Sequence, residues 1–279
     1  MSIQEFKDFI RDCGLIPPDH IPVGKIVAFA GLNKPPSNKA ARCFIFNDGQ
    51  GGWLMDYTTG QYEVWLAGHT KPDQQTYFEQ WERDKLAREQ KLVLTRQRVA
   101  EKARAIWESA VYAPINNAYL ARKQVPAYTT KTGATGSLKD VLIVPLYNRA
   151  LHIVNLQFIQ ADGQKRFLKG GQKKDCFFWL GTKTDTVLIA EGYATGASLY
   201  QVTDNLVFIA FDAGNLINVA KIVRGSKPDA DIIICGDNDK SGVGQKAARQ
   251  AALAVSGRYM IPPTEGYDWN DAINAGGVL

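Results

Sequence analysis

The last third of the chain is patterned as short, continuous apolar runs separated by stretches of helical composition. Val187-Leu188-Ile189-Ala190, Leu206-Val207-Phe208-Ile209-Ala210-Phe211 and Ile232-Ile233-Ile234-Cys235 have the character of strands buried on both faces. Helices are predicted at Thr195–Tyr200, Asn215–Val223 and Gln245–Val255, with a last strand at Arg258–Ile261. Strand and helix in alternation predict a parallel sheet with crossover helices. Each apolar run delivers acid: Glu191 in Glu191-Gly192-Tyr193, Asp212 in Phe211-Asp212-Ala213-Gly214-Asn215, and Asp237 and Asp239 in Gly236-Asp237-Asn238-Asp239. Asp268-Trp269-Asn270-Asp271 repeats the theme near the C-terminus. In such sheets chemistry gathers at the carboxyl ends of the strands.

The preceding sequence has other rhythms. Ser2 and Glu5 form a capping-box pattern, Ile3, Phe6, Ile10 and Cys13 fall at helical spacing, and Gly14 is a stop signal. Lys25–Phe29, Ala41–Phe46, Gly51–Tyr57 and Tyr62–Leu66, broken by turn residues, predict a small antiparallel sheet. Trp53 and Trp65 are expected in its core. From Asp73 to Tyr112 there is neither Gly nor Pro, which predicts a long helix, either one rod or two pieces broken near Lys91, ending before Pro114. Asp140–Leu146 and Leu151–Ile159 then predict a hairpin through Tyr147-Asn148-Arg149, extended by Arg166-Phe167-Leu168 and Phe177–Leu180.

Composition narrows the classes. Among 279 residues, 45% apolar and 22% charged are ordinary values for a globular protein, and a net charge of +5 allows a nucleic-acid partner without demanding one. Its distribution says more: Lys85, Arg88, Lys91, Arg96, Arg98, Lys102 and Arg104 face only Glu89 and Glu101 along one stretch of the long helix. Such a stretch is either a solvated strut or a track for phosphates. Cys13, Cys43, Cys176 and Cys235 lie far apart, so neither a zinc ribbon nor a disulfide framework is expected. His20, His69 and His152 are scattered. No signal pattern opens the chain, and no apolar run approaches the roughly 18 residues that span a bilayer. A soluble, cytoplasmic protein without membrane contact is the expectation.

Crowded carboxylates need a cation between them, and Mg²⁺ prefers oxygen ligands. Asp237 and Asp239, as alternate residues of an extended segment, could share one ion. Each acid also has a plainer use. Glu191 could favour the N-terminus of the next helix, Asp212 and Asp271 could cap helices, and Asp237–Gly242 could be a solvated turn.

In order and flanking residues the set resembles the Toprim domain, the catalytic module of bacterial-type primases and of type IA and type II topoisomerases. Glu191 matches its glutamate, Asp237 and Asp239 its Asp-x-Asp, and Asp268 and Asp271 its third acidic motif. Leu188–Ser198, Ala210–Leu216 and Gly236–Asp239 are similar to the primases of conjugative plasmids and phages. Tyr119–Val125, Val144-Pro145-Leu146 and Leu156–Phe167 resemble the segment that precedes Toprim in them. The resemblance implies an α/β protein: a Toprim-like parallel sheet flanked by helices, preceded by a mixed β/α primase subdomain, a long helical linker and a small β-rich N-terminal module. The expected division is 1–72, 73–114, 115–184 and 185–279. No G-x-x-x-x-G-K-[ST] motor motif accompanies it.

What the resemblance implies for activity is a DNA-dependent RNA primase, a nucleotidyltransferase using Mg²⁺ or Mn²⁺ and no zinc. Its partners would be single-stranded DNA, NTPs and a replicative helicase or polymerase in a bacterial host. A Toprim nuclease and a non-catalytic nucleic-acid-binding accessory protein remain open beside it. Asp237 and Asp239 would ligate metal, Glu191 would be a ligand or general acid/base, Asp268 and Asp271 could hold a second ion, and Asp212 would either touch metal or cap a helix. In that setting Lys165, Arg166, Lys169, Arg122 and Lys123 are candidates for template phosphates or the incoming triphosphate. Lys173 and Lys174 are as readily a solvated loop. Arg96 and Arg98 represent the basic helix.

Overall fold

The computed structural model describes residues 3–67, 74–135, 138–183 and 185–277, and side chains of 74–82, 135 and 138–139 are not among those described. The expectations at Ser2, His69 and Asp73 lie outside the described residues. The chain divides into two compact units, 1–87 and 88–279.

In the first unit, helix α1 (Ile3–Asp12) lies on an antiparallel sheet of β1 (Val27–Phe29), β2 (Ala41–Ile45), β3 (Gly51–Asp56) and β4 (Gln61–Leu66), in that order. Phe6 and Ile10 are buried one turn apart on α1, as their spacing requires, against Phe29, Cys43, Ile45 and Leu54. Trp65 packs on Phe6 in this core, 5.2 Å between rings. Trp53 does not join it. Strand alternation puts Trp53 on the other face, where it stacks on Phe44 at 6.0 Å.

Helix α2 (Gln74–Ser109) is one unbroken rod through Lys91, and it stops three residues earlier than its composition suggests. Val111–Tyr112 forms a strand, β5, because it pairs with Lys131 and Thr132 instead of continuing the helix. The second unit continues with α3 (Ala118–Lys123), β6 (Lys131–Thr135), β7 (Leu138–Tyr147), β8 (Ile153–Ile159) and β9 (Lys165–Phe167). Strands β5 to β9 make an antiparallel sheet in sequence order. The uninterrupted apolar run of β7 has a structural cause. Val141 and Ile143 face Ala103, Ile106 and Trp107 of α2, while Leu142, Val144 and Leu146 face the opposite layer. Both faces are buried, so neither can be polar.

That opposite layer is the second sheet, built from β10 (Phe178–Leu180), β11 (Thr186–Ala190), β12 (Leu206–Ile209), β13 (Asp231–Cys235) and β14 (Arg258–Met260). Its order is β10-β12-β11-β13-β14, parallel throughout except for β10. Phe177–Leu180 therefore does not extend the upstream sheet. Phe177 makes one antiparallel bridge to Tyr147, with backbone bonds of 2.8 and 2.9 Å, and the strand then crosses to pair with β12. Helices α5 (Leu216–Ser226) and α6 (Val243–Leu253) cover one face through Val187, Ile189, Phe208, Ile232 and Ile234. Helices α4 (Tyr193–Thr203) and α7 (Trp269–Asn274) cover the other through Leu188, Ala190, Val207 and Cys235. Among the described residues no helix is long and apolar enough to cross a membrane.

Three buried polar side chains stitch the layers together. Asn155 holds the amides of Leu156 and Leu168 and the carbonyl of Gln172. Asn215 donates to the carbonyls of Ala210 and Cys176 and accepts from the amide of Asp175. Tyr193, fully buried at the start of α4, shares its hydroxyl proton between the carbonyls of Pro126 and Ala127, at 3.0 and 2.9 Å. Tyr193→Phe removes both bonds, while the Ala127 carbonyl keeps the amide and hydroxyl of Thr130, and the change is expected to cost about 1 kcal/mol. Urea unfolding monitored by circular dichroism checks it, and an unchanged midpoint would show that the contact contributes nothing.

Candidate active site

The chain leaves β11 for β12 on one side and later returns to place β13 on the other. The crevice outside the carboxyl ends of β11 and β13 is thus a topological switch point, where open parallel sheets bind ligands. Ala190 is paired with Cys235 across this point, so Glu191 and Asp237 emerge next to each other. Gly236 has no room for a side chain, since a Cβ there would come within 2.6 Å of Ala248 and 2.8 Å of Ile261. That close approach seats α6 directly behind Asp237.

The carboxylates in the crevice differ sharply in what they touch. Asp239 accepts from the amides of Gly244, at 2.6 Å, and Val243, at 3.3 Å, and from the hydroxyl of Ser241. The Ser241 hydroxyl and those amides hold its carboxyl below the usual range. Asp237 is the opposite case. Burial and the charges of Glu191, Asp268 and Asp239 push it up to about 7, against relief from Lys165. Its Oδ1 is buried and has no hydrogen-bond partner. Glu191 is raised as well, by burial and by Asp212 and Asp239, with Lys165 and Lys173 opposing.

The other predicted acids are engaged elsewhere. Asp212 accepts from the amide of Asn215 at 2.9 Å, capping a short 3₁₀ turn at Ala213–Asn215, and pairs with Lys173 at 2.8 Å. Phe211 just before it has φ +70, a left-handed conformation that costs a bulky residue roughly 1–3 kcal/mol. The amide of Phe211 bonds to the carbonyl of Glu191, so this kink ties Asp212 to the crevice. Asp268 and Asp271 form the capping box of α7 and share the amine of Lys123.

The cations divide by strand geometry. Lys165 and Phe167 share one face of β9, where Phe167 meets Phe211 at 6.3 Å and Lys165 reaches the carboxylates. Gly192 makes room for it: a Cβ there would lie 3.2 Å from Lys165 Nζ. Its backbone is extended, so it serves by its missing side chain and not by the tight turn its position suggests. Arg166 lies on the other face, opposite Phe158, towards α2. Lys169, Arg96 and Arg98 are exposed, and the Arg96 charge lies near enough to act on the Cys176 thiol. Arg122 rests over Tyr119 and against Gly163, whose φ of +90 leaves that turn without a side chain. Arg122, Lys123 and Lys165 line a cavity of about 240 Å³ with Tyr119, Gly192, Thr195 and Asp268.

Residues 186–278 match the sequence profile of the Toprim domain. This part of the chain is a Toprim domain. Two curated Escherichia coli proteins, each named DNA primase TraC, are similar to it: one 35% identical over 131 residues, 43% of this chain, the other 38% identical over 119 residues, 38% of this chain. The matched segments amount to only 12% and 8% of those proteins' lengths. Among solved structures, the DnaG primase catalytic domain bound to single-stranded DNA aligns with a TM-score of 0.48 at 12% identity, covering 67% of this chain and 79% of that one. The primase fragment of the bacteriophage T7 primase-helicase aligns with a TM-score of 0.44 at 13% identity, over 90% and 96%.

Toprim membership implies use of a divalent metal, and the residues fit one. The donors at the crevice are all carboxylate oxygens, and Asp237 Oδ1 is a buried acceptor with nothing to accept. Among the described residues no three acidic, histidine or cysteine side chains form a ready-made cage. Mg²⁺ does not need one, because it commonly takes one or two carboxylates and completes its shell with waters and substrate phosphates.

The residues that sequence reading missed are the supports. Tyr119 and Thr195 line the Toprim cavity, and Asn215 and Asn270 fasten its loops, but none belongs to a periodic or charged pattern.

Asp237 yields a pH test. Its carboxyl is raised from 3.8 to about 7, so between those values the unfolded chain is ionised there while the folded one keeps its proton. Stability therefore falls as pH rises through that window and levels above it. Glu191 adds in the same direction. Asp237→Asn is expected to flatten this slope and to melt higher than the wild type at pH 8 in chelator. Added Mn²⁺ should stabilise the wild type and not the variant. Scanning calorimetry at several pH values reads both, and a lower-melting variant at pH 8 would refute the assignment.

Proposed function

We propose that this chain carries the synthetic centre of a DNA-dependent RNA primase of plasmid or phage type, joining ribonucleotides on single-stranded DNA. The observation that carries the reading is an under-compensated carboxylate pair, Glu191 and Asp237, beside a cavity edged by Lys165, Arg122 and Lys123. One side suits a hard cation, the other a polyphosphate, and a nucleoside triphosphate bridges both.

In this reading Glu191, Asp237 and Asp239 hold the divalent ion, Mg²⁺ or Mn²⁺, which when bound supplies charge to the leaving pyrophosphate and lowers the pKa of the attacking 3′-hydroxyl. Lys165 and Arg122 orient the triphosphate so that its α-phosphorus faces that hydroxyl, and most of the rate gain comes from such positioning. Glu191, with its raised carboxyl, is suited to accept the hydroxyl proton. Arg96 and Arg98 on α2, with Arg166 and Lys169, form the proposed track for template phosphates. The setting is the cytoplasm of a bacterial host, with a replicative helicase or polymerase as partner.

The assay is incubation with single-stranded templates, labelled NTPs and Mg²⁺ or Mn²⁺. Oligoribonucleotides that disappear in Asp237→Ala/Asp239→Ala support the reading. Template cleavage without synthesis would replace it with a nuclease, and binding alone with an accessory role. Glu191→Gln is expected to lose synthesis and keep DNA binding. Arg96→Ala/Arg98→Ala should weaken binding and flatten the log–log salt slope by about 1.4, the share of two phosphate contacts on a single strand. An unchanged slope would return the helix to a strut.

A further inference from the structure

Asp268 and Asp271 look like a second metal set by their place in the sequence, but their oxygens are occupied differently from those of Asp237. Asp268 Oδ1 accepts from the amide of Asp271 at 2.8 Å, and Asp271 Oδ2 from the amide of Asp268 at 3.3 Å. The two remaining oxygens both face the amine of Lys123, Asp271 Oδ1 at 2.9 Å and Asp268 Oδ2 at 3.5 Å. All four have an N–H donor. A cation placed here would have to displace an ammonium group already in position.

The residues between and beyond them grip the same lysine from behind. Asn270, fully buried, donates to the carbonyl of Lys123 at 2.7 Å and to the hydroxyl of Ser198 on α4 at 2.8 Å. Asn274 adds a second bond to that carbonyl at 3.1 Å. Lys123 is the last residue of α3, where carbonyls lack partners within the helix. Its main chain and its side chain are thus both fixed by α7, and its amine stands at the edge of the cavity that Asp268 also lines.

We infer that Asp268 and Asp271 are positioning residues: with Asn270 they form a clamp that presents the Lys123 amine to a polyphosphate in the cavity, and they do not ligate metal. The clamp gives the third acidic motif a distinct role, because it fastens the upstream subdomain to the Toprim helices at the point where the two jointly line the cavity. A lysine stem is long and mobile, and holding its amine in place beforehand lessens what a phosphate must order on arrival. The inference rests on the proposed triphosphate site, but its test does not require synthesis.

Asp271→Asn separates the roles, since the amide oxygen can still accept from Asp268 while the nearer of the two charges facing Lys123 is gone. Calorimetric titrations of the full chain are made with Mn²⁺ alone and, separately, with inorganic pyrophosphate. Asp271→Asn and Lys123→Ala are each expected to leave Mn²⁺ affinity within about twofold and to weaken pyrophosphate about tenfold, with the double variant no weaker than Lys123→Ala alone. Hydrogen exchange on α7 should be unchanged in Asp271→Asn, which establishes that the cap survives. If the chain polymerises NTPs, KM should rise about tenfold in both variants with kcat little altered. Loss of Mn²⁺ affinity in Asp271→Asn but not in Lys123→Ala would make Asp271 a metal ligand and overturn the clamp, as would unaltered pyrophosphate affinity. Failure of synthesis with these binding results intact would remove the polymerase reading and leave the clamp standing.

Discussion

Like charges brought together in a half-buried crevice are the constraint around which this molecule is arranged. The sheet forces Glu191 and Asp237 to emerge from adjacent strands, because Ala190 and Cys235 are in register. Nothing in the hydrophobic core relieves that repulsion. It is relieved unevenly from outside: Lys165 reaches in from β9, while Asp239 turns its charge onto the amides of α6. Burial raises Glu191 and Asp237, whereas hydrogen bonds lower Asp239, so neighbouring acids at one strand end carry their charge on different terms. Pushing the titration of adjacent acids apart in this way is how sites divide tasks among identical groups.

The lysines answer the same logic. Lys173 is matched to Asp212 and Lys123 to Asp268 and Asp271, and both pairs lie at the rim. The centre, at Asp237 Oδ1, is left without a partner. A fold built only for stability would have placed a donor there, since an unpaired buried acceptor costs about 1–3 kcal/mol. The upstream sheet is essential to this balance, because Lys165, Arg122 and Lys123 all come from it or from the helix beside it.

The strands and helices of the parallel sheet were legible because both faces are buried, which leaves continuous apolar runs ending abruptly in acid. The Glu191 and Asp237 positions followed from that. Less legible were features set by partners distant in sequence. Whether Phe177–Leu180 extends one sheet or crosses to the other depends on the edge of β12, some thirty residues later, and apolar content is the same either way. Val111–Tyr112 continues a helical composition, yet pairing with Lys131 and Thr132 takes it into a strand. Arg166 reads as an equal of Lys165 until β9 is placed and alternation separates their faces. A cap was readable at Asp271, but the structure gives the N-cap to Asp268 with Asp271 three residues on, and the lysine they hold is almost 150 positions away.

The crossing strand β10 bears on where the Toprim domain can be cut. Sequence profiles begin the Toprim segment at residue 186, yet the outer edge of its sheet is closed by residues 178–180, supplied by what precedes it. Cut at the profile boundary, the piece would carry β12 with a bare row of backbone donors and acceptors, the kind of edge that recruits other chains. Residues 178–180 are therefore part of the same folding unit as the sheet they complete. A fragment cut before β10 would keep this edge paired, and one cut after it would expose it.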